Sequence, residues 1–175
     1  MKIKIIDASS QEDIRLKNEP FTLRGQMIPA FIDGQWSYEI RSYPDDEIYE
    51  MCFPDENYDF DVMKENTVFI GAYDGDKCVG LAVLQDYWFK YMYLNDLKVC
   101  RQYRRQGIGQ ALLEKAKEVA VSKGYKGIYT VGQDNNLAAC MFYIKAGFRI
   151  GGYDNCVYSG TNQEGKADII FYLDC

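Results

Sequence analysis

The sequence predicts a mixed α/β fold, and three observations carry that expectation. From Thr67, the run TVFIGAYDGDKCVGLAVLQDYW places two β-rich segments around Asp74-Gly75-Asp76. This is a hairpin signature, because glycine tolerates the positive φ that tight turns require. A further strand-like run, Tyr91 to Val99 (YMYLNDLKV), leads into Arg104-Arg105-Gln106-Gly107-Ile108-Gly109. Beyond it Ile108, Leu112, Ala116 and Val119 recur at helical spacing until Lys123-Gly124 supplies a stop.

The remaining elements follow from the same rules. Lys2 to Ile6 reads as a first strand and Trp36 to Tyr43, which alternates, as another. Tyr43 to Met63 carries Asp45, Asp46, Glu47, Glu50, Asp55, Glu56, Asp59 and Asp61 with no Lys or Arg, interleaved with aromatics; it is expected to be a helix and loop at one rim. Gly127 to Val131 is a buried strand, Asn136 to Ala146 a helix ended by Gly147, and Ala167 to Leu173 a closing strand. There is no internal repeat, low-complexity segment or Pro/Gly/Ser-rich linker. A chain of 175 residues buries roughly 70% of its unfolded surface, so residues 1–175 are expected to form a single domain.

Composition narrows the function. The chain contains no histidine, which excludes mechanisms built on a His base, a His-activated nucleophile or a His metal ligand. The six cysteines lie far apart without a CxxC pair, so they read as free thiols, with no zinc cage or redox motif and no metal expected. A net charge of -6 argues against nucleic acid as a partner, since phosphate binding needs clustered cations. A cationic small molecule suits that charge better. The N-terminal stretch MKIKIIDASSQEDIRLKN is charged throughout, and no segment approaches the ~20 apolar residues that cross a bilayer, so no membrane partner and a cytoplasmic location are expected. Whether the chain works alone or as a homodimer is left open.

The strand, glycine turn and helix starting at Ile108 form a candidate diphosphate cradle. A helix start offers unpaired N–H groups and the positive end of its dipole, and glycines allow close approach. A tight turn with no ligand would use the same residues. A dinucleotide-binding fingerprint is disfavoured because its third glycine and later acidic residue are missing, and the Walker Lys-Ser/Thr pair is absent too.

On these residues the chain resembles the GNAT acetyltransferases: RRQGIG is similar to their RxxGxG signature, and NNLAACMFYIKAGF, Asn135 to Phe148, to NxxAxxxYxxxGF. The resemblance implies a twisted mixed sheet with helices on both faces and a splayed central strand pair, with acetyl-coenzyme A as co-substrate. It assigns the diphosphate to Arg104, Arg105, Gln106, Gly107, Ile108, Gly109 and Gln110. The pantetheine arm falls to Asn136 and to the strand segment Leu97, Lys98 and Val99, whose Leu97 and Val99 backbone groups would pair with it as an added strand. Tyr143 is placed at the departing sulfur, and chemistry supports this, since a phenol of pKa about 10 can protonate a leaving thiolate. Without that frame, Tyr143 would read as a packing residue.

An ammonium has no lone pair, so the acceptor amine must lose a proton. Asp96, alternating with Leu97 on LNDLKV, is the candidate base. It could equally bind the ammonium, or be a hydrogen-bonded carboxylate at a strand bulge, with water serving as base.

Beyond the superfamily, Glu19-Pro20-Phe21, Gly25, Ile28-Pro29, Trp36 and Tyr38, then GFRIGGYDNCVYSG and the ending IIFYLDC, resemble the streptothricin acetyltransferases, antibiotic-resistance enzymes. That resemblance implies acetylation of an amine of the drug's β-lysine part. The acidic stretch from Tyr43 to Met63 is compatible with a polycation, although such runs usually form a solvated face. Other acceptors, such as a protein N-terminus, lysine, a polyamine or an aminoglycoside, stay open, as does a non-catalytic coenzyme-A-binding module or an acidic protein-interaction partner.

Overall fold

A computed structural model describes all residues, Met1–Cys175. In chain order the strands are β1 (Lys2–Ile5), β2 (Phe21–Leu23), β3 (Gly25–Ile32), β4 (Gln35–Ser42) and β5 (Tyr49–Met51). They continue with β6 (Thr67–Asp74), β7 (Lys77–Gln85), β8 (Tyr91–Val99), β9 (Gly127–Gln133), β10 (Arg149–Asp154) and β11 (Asp168–Asp174). The α-helices are α1 (Phe60–Met63), α2 (Ile108–Ser122) and α3 (Leu137–Lys145), so the fold is mixed α/β. The chain gathers into two compact units. The first holds Met1–Pro20, Cys52–Ile128 and Cys175; the second holds Phe21–Met51 and Tyr129–Asp174.

In the first unit β1, β6, β7 and β8 pair in that order, each antiparallel to the next. The hairpin expected around Asp74-Gly75-Asp76 is present, with Gly75-Asp76 as the two-residue turn between β6 and β7 and Gly75 at φ 60. From Cys78 to Leu84 every residue of β7 is buried, which requires cover on both faces. On one face Leu81 and Val83 join Ile6, Ile14, Tyr58 and Phe69 in a core cluster. On the other lies α2, whose Ile108, Leu112, Leu113, Ala116, Val119 and Ala120 are buried. A Cβ on Gly80 would meet the Leu112 and Ile108 side chains at 3.1 and 3.3 Å, so glycine is what lets helix and strand come this close.

In the second unit β3 and β4 form a hairpin closed by Asp33 and Gly34, both at positive φ, and β2 pairs with β5. The strands β9, β11 and β10 pair in that order, and α3 packs against β3.

The segment from Tyr43 to Met63 differs from expectation. Only α1, four residues capped by the Asp59 side chain, is α-helical, and Tyr49–Met51 is a strand paired with Phe21–Leu23. Pro44 precedes a single 3-10 turn at Asp45–Glu47, and Pro54 follows β5; prolines at these points prevent a continuous helix. The closing strand is shifted by one residue to Asp168–Asp174, and β10, absent from the sequence reading, is its neighbour.

Candidate active site

In the first unit, the register between β7 and β8 slips between Val83 and Leu84, because Val83 faces Asp96 whereas Leu84 faces Leu94. Asn95 is therefore the extra residue of a β-bulge, a device that re-aims neighbouring side chains. Asp96 and Lys98 pair with Val83 and Leu81, so they sit on the face that holds Tyr58, away from α2. Lys98 Nζ lies 3.0 Å from Asp96 Oδ2 and also pairs with Glu56. Tyr58 donates to Asp96 at 3.3 Å and accepts from Asn95 Nδ2 at 3.1 Å. Asn18 Nδ2 donates to Glu56 at 3.0 Å.

These contacts set the charges. Burial raises the Asp96 carboxyl above the usual carboxylate range, against the opposing pull of the Lys98 ammonium. For Glu56 burial acts in the same direction, but hydrogen bonds from Lys98 and Asn18 outweigh it and the net direction is down. Burial alone would lower Lys98, but Asp96 and Glu56 hold it above its ordinary value. The Tyr58 phenol is raised by burial and by the Asp96 charge, so it remains a proton donor to that carboxylate. The result is a sheltered carboxylate with one cation and one phenol in attendance, tuned toward proton acceptance.

The ion pair yields a stability prediction. The Lys98 and Asp96 side chains are 11% and 14% exposed, so removing the cation by Lys98→Met leaves a sheltered carboxylate uncompensated. A loss of about 3 kcal/mol is expected, at the low end for a broken buried pair because Asp96 can neutralise itself by taking up a proton. That escape fixes the sign. A carboxyl whose folded pKa is raised contributes stability at low pH that is lost as pH rises through the folded value. Urea unfolding should therefore show a larger gap between variant and native chain at neutral than at mildly acidic pH.

The glycine turn also lies in the first unit. After a 3-10 turn at Arg101–Tyr103, Arg105 adopts φ 62 and Gly107 φ 81, and α2 begins at Ile108. The first backbone bond of the helix runs from Ala111 N to Gly107 O. The N–H groups of Ile108, Gly109 and Gln110 are thus available at the helix start. A Cβ on Gly107 would meet nothing within 4 Å, so the turn is open at that point. Arg104 is used differently from its neighbours: its guanidinium donates to the carbonyls of Val99, Pro20 and Glu19, tying the turn down.

In the second unit Asn136 caps α3, its side chain accepting from Ala139 N at 3.3 Å. Tyr143 is 8% exposed, with its ring 5.3 Å from both Phe148 and Phe171. The aromatic cage fixes the ring.

The acidic stretch resolves into individual roles. In the first unit Asp55 accepts from Asn18 N, Glu56 pairs with Lys98, Asp59 caps α1 and Asp61 pairs with Lys64. In the second unit Asp45, Asp46 and Glu47 are exposed. Sequence reasoning missed Tyr58, Glu56 and Asn18 as the surroundings of Asp96, since nothing local connects positions so far apart in the chain.

The fold and both motifs define the class of protein: residues 29–148 match the acetyltransferase (GNAT) family, and the chain belongs to that family. It is 35% identical over 165 residues to streptothricin acetyltransferase A of Bacillus subtilis (strain 168), covering 93% of this chain and 94% of the relative. Among solved structures, an assigned streptothricin acetyltransferase of Bacillus anthracis in complex with acetyl coenzyme A superposes with a TM-score of 0.88 at 27% identity, covering 99% of each chain. Nourseothricin acetyltransferase shares the fold, with a TM-score of 0.79 at 22% identity over 99% of this chain and 98% of that one. No helix is long and apolar enough to cross a membrane.

Proposed function

We propose that this chain, acting as one domain over residues 1–175, transfers an acetyl group from acetyl-coenzyme A directly to a primary amine of a cationic small molecule, namely the β-lysine amine of streptothricin. The observation that carries the reading is the 35% identity to the Bacillus subtilis streptothricin acetyltransferase along nearly the whole of both chains. In support, the Bacillus anthracis relative is complexed with acetyl coenzyme A, and the glycine turn leads into a helix start with N–H groups not used within the helix.

In this reading the N–H groups from Arg105 to Gln110 hold the diphosphate, and the Leu97 and Val99 backbone and Asn136 hold the pantetheine. Asp96, kept basic by burial, takes the proton from the acceptor ammonium. The amine lone pair attacks the thioester carbonyl, the C–S bond breaks and the Tyr143 phenol gives its proton to the departing sulfur. The second proton, lost from the new amide nitrogen, restores the phenol, so the products are the acetylated amine, free coenzyme A and one proton left on Asp96 for solvent.

Asp96→Asn separates two roles for the carboxylate. As a base, Asp96 works only when ionised, so activity rises with pH through an upshifted carboxyl value, and Asp96→Asn should lower kcat and remove that limb. A carboxylate that only bound the ammonium would show its loss in the KM for the amine with kcat little changed, and the native limb would then appear in kcat/KM and not in kcat. The function itself is tested by thiol release over a panel of amines. Streptothricin should give a higher kcat/KM than a polyamine, an aminoglycoside or a peptide N-terminus; a panel member that outpaces it would displace the drug as substrate.

A further inference from the structure

A second polar cluster lies within the second unit, at the end of β9 and directly before Asn136. Gln133, Asp134 and Asn135 follow one another at the end of β9, at 7%, 1% and 4% exposure. Each has one buried oxygen with no hydrogen-bond donor: Gln133 Oε1, Asp134 Oδ1 and Asn135 Oδ1. The two amides can turn to present either end, but Asp134 has only acceptors to offer. Its other oxygen accepts from Gln26 Nε2 at 2.5 Å. Its backbone is fixed on both sides, with Asp134 N donating to Ala167 O and Met27 N donating to Asp134 O, each at 2.9 Å. The main chain is thus held in place, and the carboxylate is kept inside by burial and by its bond from Gln26.

The surroundings are rich in acceptors. Asp168 accepts from Tyr158 at 2.8 Å, and Gln133 donates to Gln163 at 2.9 Å, which also accepts from Lys166 at 3.1 Å. The Asp134 charge reaches Tyr43, Tyr153, Tyr158 and Asp168. Burial raises the Asp168 carboxyl, and the charges of Asp154 and Asp134 add to that. Burial and the Asp168 carboxylate push the Tyr158 phenol up to about 12. Lys166 bonds to Gln163, and neither Asp134 nor Asp168 has an ion-pair partner. Tyr153 is 39% exposed, so the cluster has an edge that reaches solvent.

A buried carboxylate oxygen without a donor is costly. A protein carries that cost in the free state where a ligand supplies the missing donors. We infer that Asp134, with Asp168 and the Gln133 and Asn135 carbonyls, forms a cation subsite in the second unit that receives an ammonium or guanidinium group of the acceptor substrate. The inference rests on the reading above only in taking the acceptor to be polycationic. The chemistry is specific, because only a charged donor answers several acceptors and an unneutralised pair of carboxylates at once. An anion or an apolar group would leave every orphaned oxygen as it is.

The test is calorimetric titration of the full chain with streptothricin and, separately, with spermidine. It compares the native protein with Asp134→Asn, which keeps the acceptor for Gln26, and with Asp168→Asn, which keeps the acceptor for Tyr158. Asp134→Asn should weaken binding roughly ten- to a hundredfold, as expected when one partner of a buried charge pair is truncated. Asp168→Asn should act in the same direction, more weakly. Thermal unfolding of free Asp134→Asn should occur at or above the native temperature, since an unpaired charge has been removed; a purely structural aspartate would show the reverse. Spermidine binding that depends on Asp134, with no binding of streptothricin, would keep the subsite and remove the drug from the proposed function. Unchanged affinity for both cations in Asp134→Asn, no binding of either by the native chain, or a crystal structure of the streptothricin complex showing only ordered water on Asp134 Oδ1 would overturn the inference.

Discussion

A Tyr143→Phe enzyme is expected to turn over roughly ten- to a thousandfold more slowly than the native chain while binding acetyl-coenzyme A about as tightly. The geometry makes this substitution clean. The Tyr143 ring packs against Phe148 and Phe171, and a phenylalanine ring makes the same contacts, so the hydroxyl is the only group removed. A packing residue would then cost nothing in rate. A general acid would cost the difference between expelling coenzyme A as thiol and as free thiolate. Single-turnover measurements, with chemistry made limiting, read that difference without interference from product release. Native rates under those conditions would reduce Tyr143 to a member of the aromatic cage.

The second large effect concerns the glycine turn. Gly107→Asp is expected to lower acetyl-coenzyme A affinity on the order of a hundredfold or more, because a carboxylate would stand at the helix start where the diphosphate binds. The fold should survive. Gly107 sits at φ 81 with open space around the place of a Cβ, and aspartate is among the few side chains that enter the left-handed region at a cost of about 1–2 kcal/mol. Gly107→Asn separates shape from charge, since it has nearly the same size and conformational cost but no charge. Calorimetry should place its affinity between the native and aspartate proteins. Native affinity in Gly107→Asp would move the diphosphate site elsewhere.

How far the sequence could be read depended on whether each element's signal was local. Tyr91–Val99 is the predicted strand without change, and α2 begins and ends between Gly107 and Gly124, both at positive φ. Those elements announce themselves through periodicity and turn chemistry. The hairpin of β3 and β4 carries an equally local signal in Asp33-Gly34, both at positive φ, but Pro29 interrupts the strand pattern of β3 in sequence. By contrast β2 and β5 are three residues each and exist only because they pair with one another; strands that short have no period of their own. β10 was hidden by Gly151 and Gly152. These look like loop residues in sequence, yet a Cβ there would collide with the Tyr172 ring or the Ile170 side chain. The site divides in the same way. Asp96, Tyr143 and the glycine turn stand within recognisable motifs. Lys98 stands two residues from Asp96 on the same strand, whereas the Glu56 and Tyr58 partners come from a separate stretch of chain brought to it by folding. Asp134 had one signal that could have found it, the polar run Gln133-Asp134-Asn135 directly after a buried strand.

The central claim, transfer of acetyl from acetyl-coenzyme A to streptothricin, is tested most directly by incubating the purified chain with both compounds and mapping the product by tandem mass spectrometry. The account predicts one acetyl mass added to the drug, located on an amine of its β-lysine part, with free thiol released in equal amount. Unmodified streptothricin at micromolar enzyme, while another amine is acetylated readily under the same conditions, would contradict it.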